Sequence, residues 1–310
     1  MTTPKTVIPD EVRGEILSIY DEFLVEWPEP TKEVTVPTRY GITHVTETGP
    51  KDGPVIVLLH GMGFPGPIMW ATLVPHLSAT HRLIAPDTIG DVGKSLLNGV
   101  TKAPRSGADY ARWLDDVLEG VGVTDEKVSL VGTSYGAWIA LHYCLHAPDR
   151  IDRLALMSPL GIAPWSAMLK LMRRMTRLIR EVRKDPDAGV RWLFADREDL
   201  RDVISPWMRL QMKTRAKLGP PLPISRSKLR SITTPTLVAM GDNDPVLGPP
   251  DPVLRRAREL PHTTTEVLEG AGHALIVELP EQMTVLLTDF LTQEAQPGSA
   301  DHTHRSASTS

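Results

Sequence analysis

An apolar run, Val128 to Val131, passes straight into Gly132-Thr133-Ser134-Tyr135-Gly136, and from Ala137 the chain becomes helix-compatible. A strand that turns into a helix across so few residues needs small residues where the two elements close on each other. It also leaves the central residue in strained backbone angles with its side chain lifted clear. Nothing else in the chain constrains the fold as strongly. The same geometry suits a serine, whose hydroxyl attacks a carbonyl only when a base and a set of oxyanion donors can both reach it. With 23 glycines in the chain the pattern alone could arise by chance, so the argument rests on its surroundings.

Four further stretches fit. Val55 to Leu59 has the pattern of a fully buried strand and runs into His60-Gly61-Met62-Gly63, a turn able to present a backbone N–H to an oxyanion. Arg82-Leu83-Ile84-Ala85-Pro86-Asp87 is a second short strand. Late in the chain, Pro235 to Met240 leads into Gly241-Asp242-Asn243-Asp244-Pro245, and Thr265 to Leu268 leads into Gly270-Ala271-Gly272-His273. The candidate groups therefore come in the order serine, acid, histidine. Three acids, Asp242, Asp244 and Asp251, lie near the acid position. Asp251-Pro252 reads as a helix cap followed by a first helical residue, and Asp242 directly follows the turn glycine.

On these motifs the chain resembles the α/β-hydrolase fold superfamily over roughly residues 33 to 292. More narrowly, Asp87-Thr88-Ile89-Gly90-Asp91-Val92-Gly93-Lys94-Ser95, Thr38-Arg39-Tyr40-Gly41-Ile42-Thr43-His44-Val45 and Ala108-Asp109-Tyr110-Ala111-Arg112-Trp113-Leu114 are similar to segments of bacterial carboxylesterases of the naproxen-esterase type. Thr133 and Tyr135 depart from the more aliphatic neighbours expected at the turn. The resemblance implies a mostly parallel central sheet flanked by helices, with a helical lid inserted after the sixth strand. It favours Asp244 as the acid. Ser134, Asp244 and His273 would form the catalytic triad, and the backbone N–H groups of Met62 and Tyr135 the oxyanion hole. His60 would orient the oxyanion loop rather than serve as a base, and the Tyr135 side chain is a candidate donor to substrate. The activity implied is a serine carboxylester hydrolase acting on an ester with an apolar acyl or aryl part. Carbon–carbon bond or lactone hydrolysis, acyl transfer or cyclisation on the same scaffold, and a non-catalytic ligand-binding protein, are the alternatives. Serine at the turn excludes dehalogenase and epoxide-hydrolase chemistry, which needs a carboxylate nucleophile there.

Residues 1–30 form an N-terminal extension in which Val12, Ile16, Ile19, Tyr20, Phe23 and Leu24 mark an amphipathic helix over 11–26. Glu33 to Val36 and Ile42 to Thr46 alternate like the strands of an antiparallel sheet edge. Residues 31–160 and 232–293 make the core. Alternating strands and helices argue for a parallel sheet covered on both faces. Residues 161–231 make the lid, whose helical stretch sets Met168, Leu169, Leu171, Met172, Met175, Leu178 and Ile179 among Arg173, Arg174, Arg177 and Arg180. Trp165, Met168, Met172, Trp207 and His60 are the expected pocket residues. Lid arginines turned inward would instead suit a carboxylate-bearing substrate.

A formal net charge of −4 gives no basic field for a nucleic acid. Gly90 to Ser95 ends like a phosphate loop, but the first glycine such a loop needs is Thr88. The single cysteine, Cys144, cannot form an internal disulfide and falls in the apolar helix after the serine, where a buried thiol is expected. No cofactor or metal is called for, and the expected partner is a small-molecule substrate, with a homodimer allowed. Acids at 10, 11, 15, 21 and 22 interrupt any leader-like apolar run, and no window approaches the ~18 apolar residues of a membrane span, so a cytoplasmic protein with no membrane partner is expected. Residues 294–310, with His302 and His304, read as a disordered tail.

Overall fold

The structure is a computed structural model and describes residues 4–99, 103–182, 184–185, 187–194 and 197–292. The expected tail at 294–310 lies outside these. The N-terminal helix α1 (Asp10–Val25) buries Val12, Ile16 and Tyr20. Strands β1 (Thr31–Thr38) and β2 (Gly41–Thr48) pair antiparallel at the sheet edge, as their alternation predicts. Then come β3 (Val55–Leu59), the short helices α2 (Gly66–Trp70) and α3 (Val74–Leu77), β4 (Arg82–Pro86), the two-residue β5 (Leu96–Leu97) and α4 (Gly107–Gly120). The serine turn joins β6 (Val128–Thr133) to α5 (Tyr135–His146), which starts two residues before the predicted Ala137.

After β7 (Ile151–Met157) the chain leaves the sheet for α6 (Trp165–Val182), α7 (Ala188–Leu193), α8 (Glu198–Gln211) and α9 (Arg226–Arg230). It returns as β8 (Thr236–Gly241), α10 (Asp251–Ala257), β9 (Thr263–Leu268), α11 (Leu275–Glu278) and α12 (Pro280–Thr292). The helical insertion thus follows the sixth strand when the small β5, which pairs with β2 off the main strand order and bridges to Lys5, is set aside. Sheet order is β1-β2-β4-β3-β6-β7-β8-β9, with every neighbouring pair from β4 to β9 parallel.

Both sheet faces are covered, so β3 and β6 are buried along their whole length. The pleat sends alternate residues to opposite layers. Val55, Val57 and Leu59 join a cluster with Trp113, Leu114 and Trp138 of α4 and α5, whereas Ile56 and Leu58 join one with Ile16, Trp70, Met283 and Leu287. This packing fixes the carboxyl ends of β3, β6, β7 and β8 side by side, and each of the four ends in a loop that carries a polar group. Cys144 is buried as expected; burial pushes its thiol pKa up, and its Sγ lies 3.3 Å from Thr234 Oγ1.

Candidate active site

Ser134 stands between β6 and α5 with φ 51° and ψ −107°, left-handed angles that a side chain rarely adopts. The two flanking glycines explain how the turn closes. A Cβ on Gly136 would sit 1.9 Å from the Leu59 carbonyl oxygen, and one on Gly132 would sit 2.7 Å from Ala137 N. The Ser134 N–H donates to Met157 O (2.9 Å), tying the turn to the end of β7. The hydroxyl is left partly exposed, aimed at the loop after β9.

There the Ser134 hydroxyl donates to His273 Nε2 (2.9 Å), and His273 Nδ1–H donates to Asp244 Oδ2 (2.8 Å). The other carboxylate oxygen of Asp244 accepts the Val246 and Leu247 N–H groups (2.7 and 2.8 Å). Burial alone would raise the Asp244 carboxyl, but the charge and hydrogen bond of His273 and the two backbone donors outweigh it and hold it below its ordinary range. The other two acids stay away. Asp242 is exposed, and Asp251 is the exposed first residue of α10 rather than its cap, since Pro250 takes that place and no side chain caps the helix.

Glu278, which the sequence reading missed, fixes the histidine. Its carboxylate accepts Gly272 N–H (2.7 Å) and Ala274 N–H (2.9 Å), gripping the backbone on either side of His273. Burial raises its pKa, and the two backbone donors only partly oppose that. Its spacing from His273 on a short helix, α11, gave no recognisable signal.

The loop after β3 is held on every side. His60 is fully buried; its Nε2 accepts Thr88 N–H (2.8 Å), which leaves Nδ1–H to donate to Gly61 O (2.8 Å). Gly63, at φ 80°, donates its N–H to Asp91 Oδ2 (2.9 Å) and accepts Trp207 Nε1–H from α8 (2.8 Å). Asp91 is a second group the sequence reading missed. A Cβ on Gly61 would lie 3.6 Å from Ser134 Cβ, so the loop runs beside the serine. The N–H groups of Met62 and Tyr135 have no acceptor among the described residues; Tyr135 opens α5, where a helix has no internal acceptor to offer.

Several expected pocket residues are placed elsewhere. His60 and Trp207 spend their polar atoms clasping the loop, Met168 packs into the core, and Trp165 and Met172 face outward. The Tyr135 hydroxyl donates to Gly219 O (2.8 Å), with its ring buried against Tyr110 and Trp138, so it is tied down rather than offered to a ligand. A cavity of about 560 Å³ does open between α6, α7 and the loop after β8. It is lined by Arg174, Arg177, Glu181, Trp192, Asn243 and Asp244, among others, but by neither Ser134 nor His273. Arginines of α6 therefore do turn toward a cavity, on the Asp244 side of the site. Among the described residues no group of acidic, histidine or cysteine side chains is arranged to hold a metal ion.

A sequence profile described as "Alpha/beta hydrolase family" matches residues 56–284. Carboxylesterase YbfK of Bacillus subtilis (strain 168) is 28% identical over 282 residues, covering 88% of this chain and 92% of that protein. Its crystal structure, described as carboxylesterase CesB (YbfK), superposes with a TM-score of 0.77 at 28% identity, covering 91% of this chain and 99% of that one. Naproxen esterase (carboxylesterase NP) from Bacillus subtilis superposes with a TM-score of 0.76 at 28% identity, covering 89% and 97% of the two chains.

Proposed function

The chain belongs to the alpha/beta hydrolase family, and from that premise we propose that it is a serine hydrolase that cleaves carboxylic esters through an acyl-enzyme. The observation that carries this reading is the unbroken relay Ser134–His273–Asp244, with bonds of 2.9 and 2.8 Å, behind a serine in strained backbone angles. The carboxylesterases among its relatives point the same way.

Ser134 Oγ attacks the ester carbonyl carbon as its proton passes to His273 Nε2. The carbonyl π pair moves onto oxygen, and the oxyanion takes hydrogen bonds from Met62 and Tyr135 N–H. The carbon–oxygen bond to the alcohol then breaks, and His273 returns the proton to the leaving oxygen. Water, deprotonated by the same nitrogen, attacks the acyl-enzyme and releases the acid with Ser134 restored. Asp244 stays ionised throughout, fixes the Nδ1–H tautomer and stabilises the imidazolium. The helical insertion, residues 161–231, covers the site as its lid. The apolar acyl or aryl preference expected from Trp165, Met168, Met172 and Trp207 is read out by the chain length that turns over best.

The test is release of nitrophenol from p-nitrophenyl esters of increasing chain length by the protein and by Ser134→Ala. Turnover lost in the variant supports the reading, and the best chain length sizes the acyl site. Turnover that survives in Ser134→Ala, or a silent panel with no labelling of Ser134 by an active-site phosphonate, would overturn it.

A further inference from the structure

Helix α6 carries three faces. Ala167, Met168 and Leu178 are buried against the body of the protein. Trp165, Leu169, Met172 and Ile179 recur at steps of four, three and seven, so they share one outward face. They are 62%, 51%, 62% and 45% exposed. Lys170, Arg173 and Arg180 lie along the adjoining face with Arg177, which also lines the cavity beside Asp244, and none of the four has an ion-pair or hydrogen-bond partner among the described residues. With Arg174, the helix holds five cations against one acid, Glu181, in a chain whose formal net charge is −4.

An outward apolar stripe flanked by cations is the pattern of a helix that lies in a lipid–water interface. A second copy of the chain fits less well. A twofold contact on this stripe with the two helices antiparallel would set one cationic row beside its symmetry mate, and like charges repel. Lipid headgroups of opposite sign complement the row instead. The location is also suited to a surface contact. Leu160 N–H, just before α6, reaches Ser134 O (3.4 Å), and Arg174 Nη1–H donates to Pro245 O (2.9 Å) beside Asp244, so α6 runs from the serine turn to the acid loop.

We propose that this face of α6 docks the protein onto an anionic lipid surface, with Trp165, Leu169, Met172 and Ile179 entering the acyl boundary and the cationic row pairing with headgroups. No described helix is long and apolar enough to cross a membrane, and a surface contact requires none. The expectation of no membrane partner rested on the missing span alone. The proposal stands apart from the ester-cleaving reading, since it concerns a surface whose occupancy is measured without turnover.

The experiment is co-sedimentation of the full chain with vesicles of phosphatidylcholine alone and of phosphatidylcholine with an equal share of phosphatidylglycerol. The protein should pellet with the mixed vesicles and stay in solution with the neutral ones, and added salt should release it. Each surface cation contributes about fivefold in partitioning, so Lys170→Gln/Arg173→Gln/Arg180→Gln should lower it about a hundredfold. Leu169→Ser should weaken it with the charges intact. Both variants should keep the circular dichroism and the soluble-ester turnover of the parent. No pelleting with mixed vesicles, equal pelleting of the triple variant, or a dimer that dissociates in Leu169→Ser and ignores vesicles would each overturn the proposal. A parent protein that pellets but neither hydrolyses the ester panel nor labels at Ser134 with phosphonate would sink the hydrolase reading and leave this one standing.

Discussion

Two buried histidine–carboxylate pairs serve opposite ends in this molecule. His273 and Asp244 are joined at 2.8 Å beneath the serine turn. His44 and Asp87 lie 3.4 Å apart under helix α1, where Tyr20 donates its hydroxyl to Asp87 (3.1 Å). The difference lies at the far nitrogen of each ring. His273 Nε2 faces a partly exposed hydroxyl, and so it can receive a proton. His44 Nε2 faces a second carboxylate, Glu33 (2.8 Å), which Lys94 also holds. Burial pulls the His44 pKa down, but Asp87 and Glu33 outweigh it and raise it, and the ring bridges the two carboxylates. A carboxylate–imidazole pair becomes a general base only where its other nitrogen is left an acceptor with something to accept from. The same bridge absorbs Lys94 and Ser95, the end of the false phosphate loop, since Lys94 pairs with Asp21 and Glu33 and Ser95 donates to Asp87 O.

Removing the feature that separates the pairs gives the largest expected effect. Ser134→Ala should lower kcat for a p-nitrophenyl ester by about a millionfold. Asp244→Asn should cost about ten-thousandfold by letting the wrong tautomer of His273 form, and a near-normal rate would take the acid role from Asp244. Between these and the structural pair come groups that hold the machinery without touching substrate. Trp207→Phe deletes the donor to Gly63 O and should lower kcat about ten- to hundredfold with little change in KM, because a slightly misplaced oxyanion donor is costly only in the transition state. Equal losses in kcat and thermal stability would make Trp207 a packing residue only.

Disturbing the second pair should spare catalysis. Tyr20→Phe removes a hydrogen bond to a buried carboxylate and should cost about 1.5–3 kcal/mol in urea unfolding at unchanged kcat. A fall in kcat matching that of Trp207→Phe would erase the distinction between the two regions. The smallest effect is in pH dependence. Because the folded pKa of His44 lies above its ordinary 6.5, its stabilising contribution is full below that value and fades as pH rises through the raised pKa. The stability gap between the parent and His44→Gln should therefore narrow toward alkaline pH. Asp244, held below its ordinary 3.8, works on the other side, with its contribution present above 3.8 and lost as pH falls through the lowered pKa.

The order serine, acid, histidine and the glycines around Ser134 were legible because the strand-to-helix turn imposes a local steric demand that only particular residues meet. Buried strands such as Val55–Leu59 were legible because parallel strands covered on both faces must be apolar throughout. The supports of the site were not. Glu278 grips the backbone about His273 from four to six residues away without any recurring spacing to mark it, whereas Asp91 and Trp207 clasp Gly63 from far along the chain, and no local pattern records contacts that span from α8 to the loop after β3. The orientation of the expected pocket residues was hidden for a related reason. Apolar periodicity shows that a helix has faces, but whether Met168 is buried and Met172 exposed depends on how α6 is rotated against the sheet. The sequence by itself determined the fold and singled out Ser134 and His273 as candidates, since backbone sterics and strand burial act within a few residues. Only the tertiary structure decided which acid faces His273, what orders the loop after β3 and which side of α6 looks outward, because those depend on distances between segments far apart in the chain.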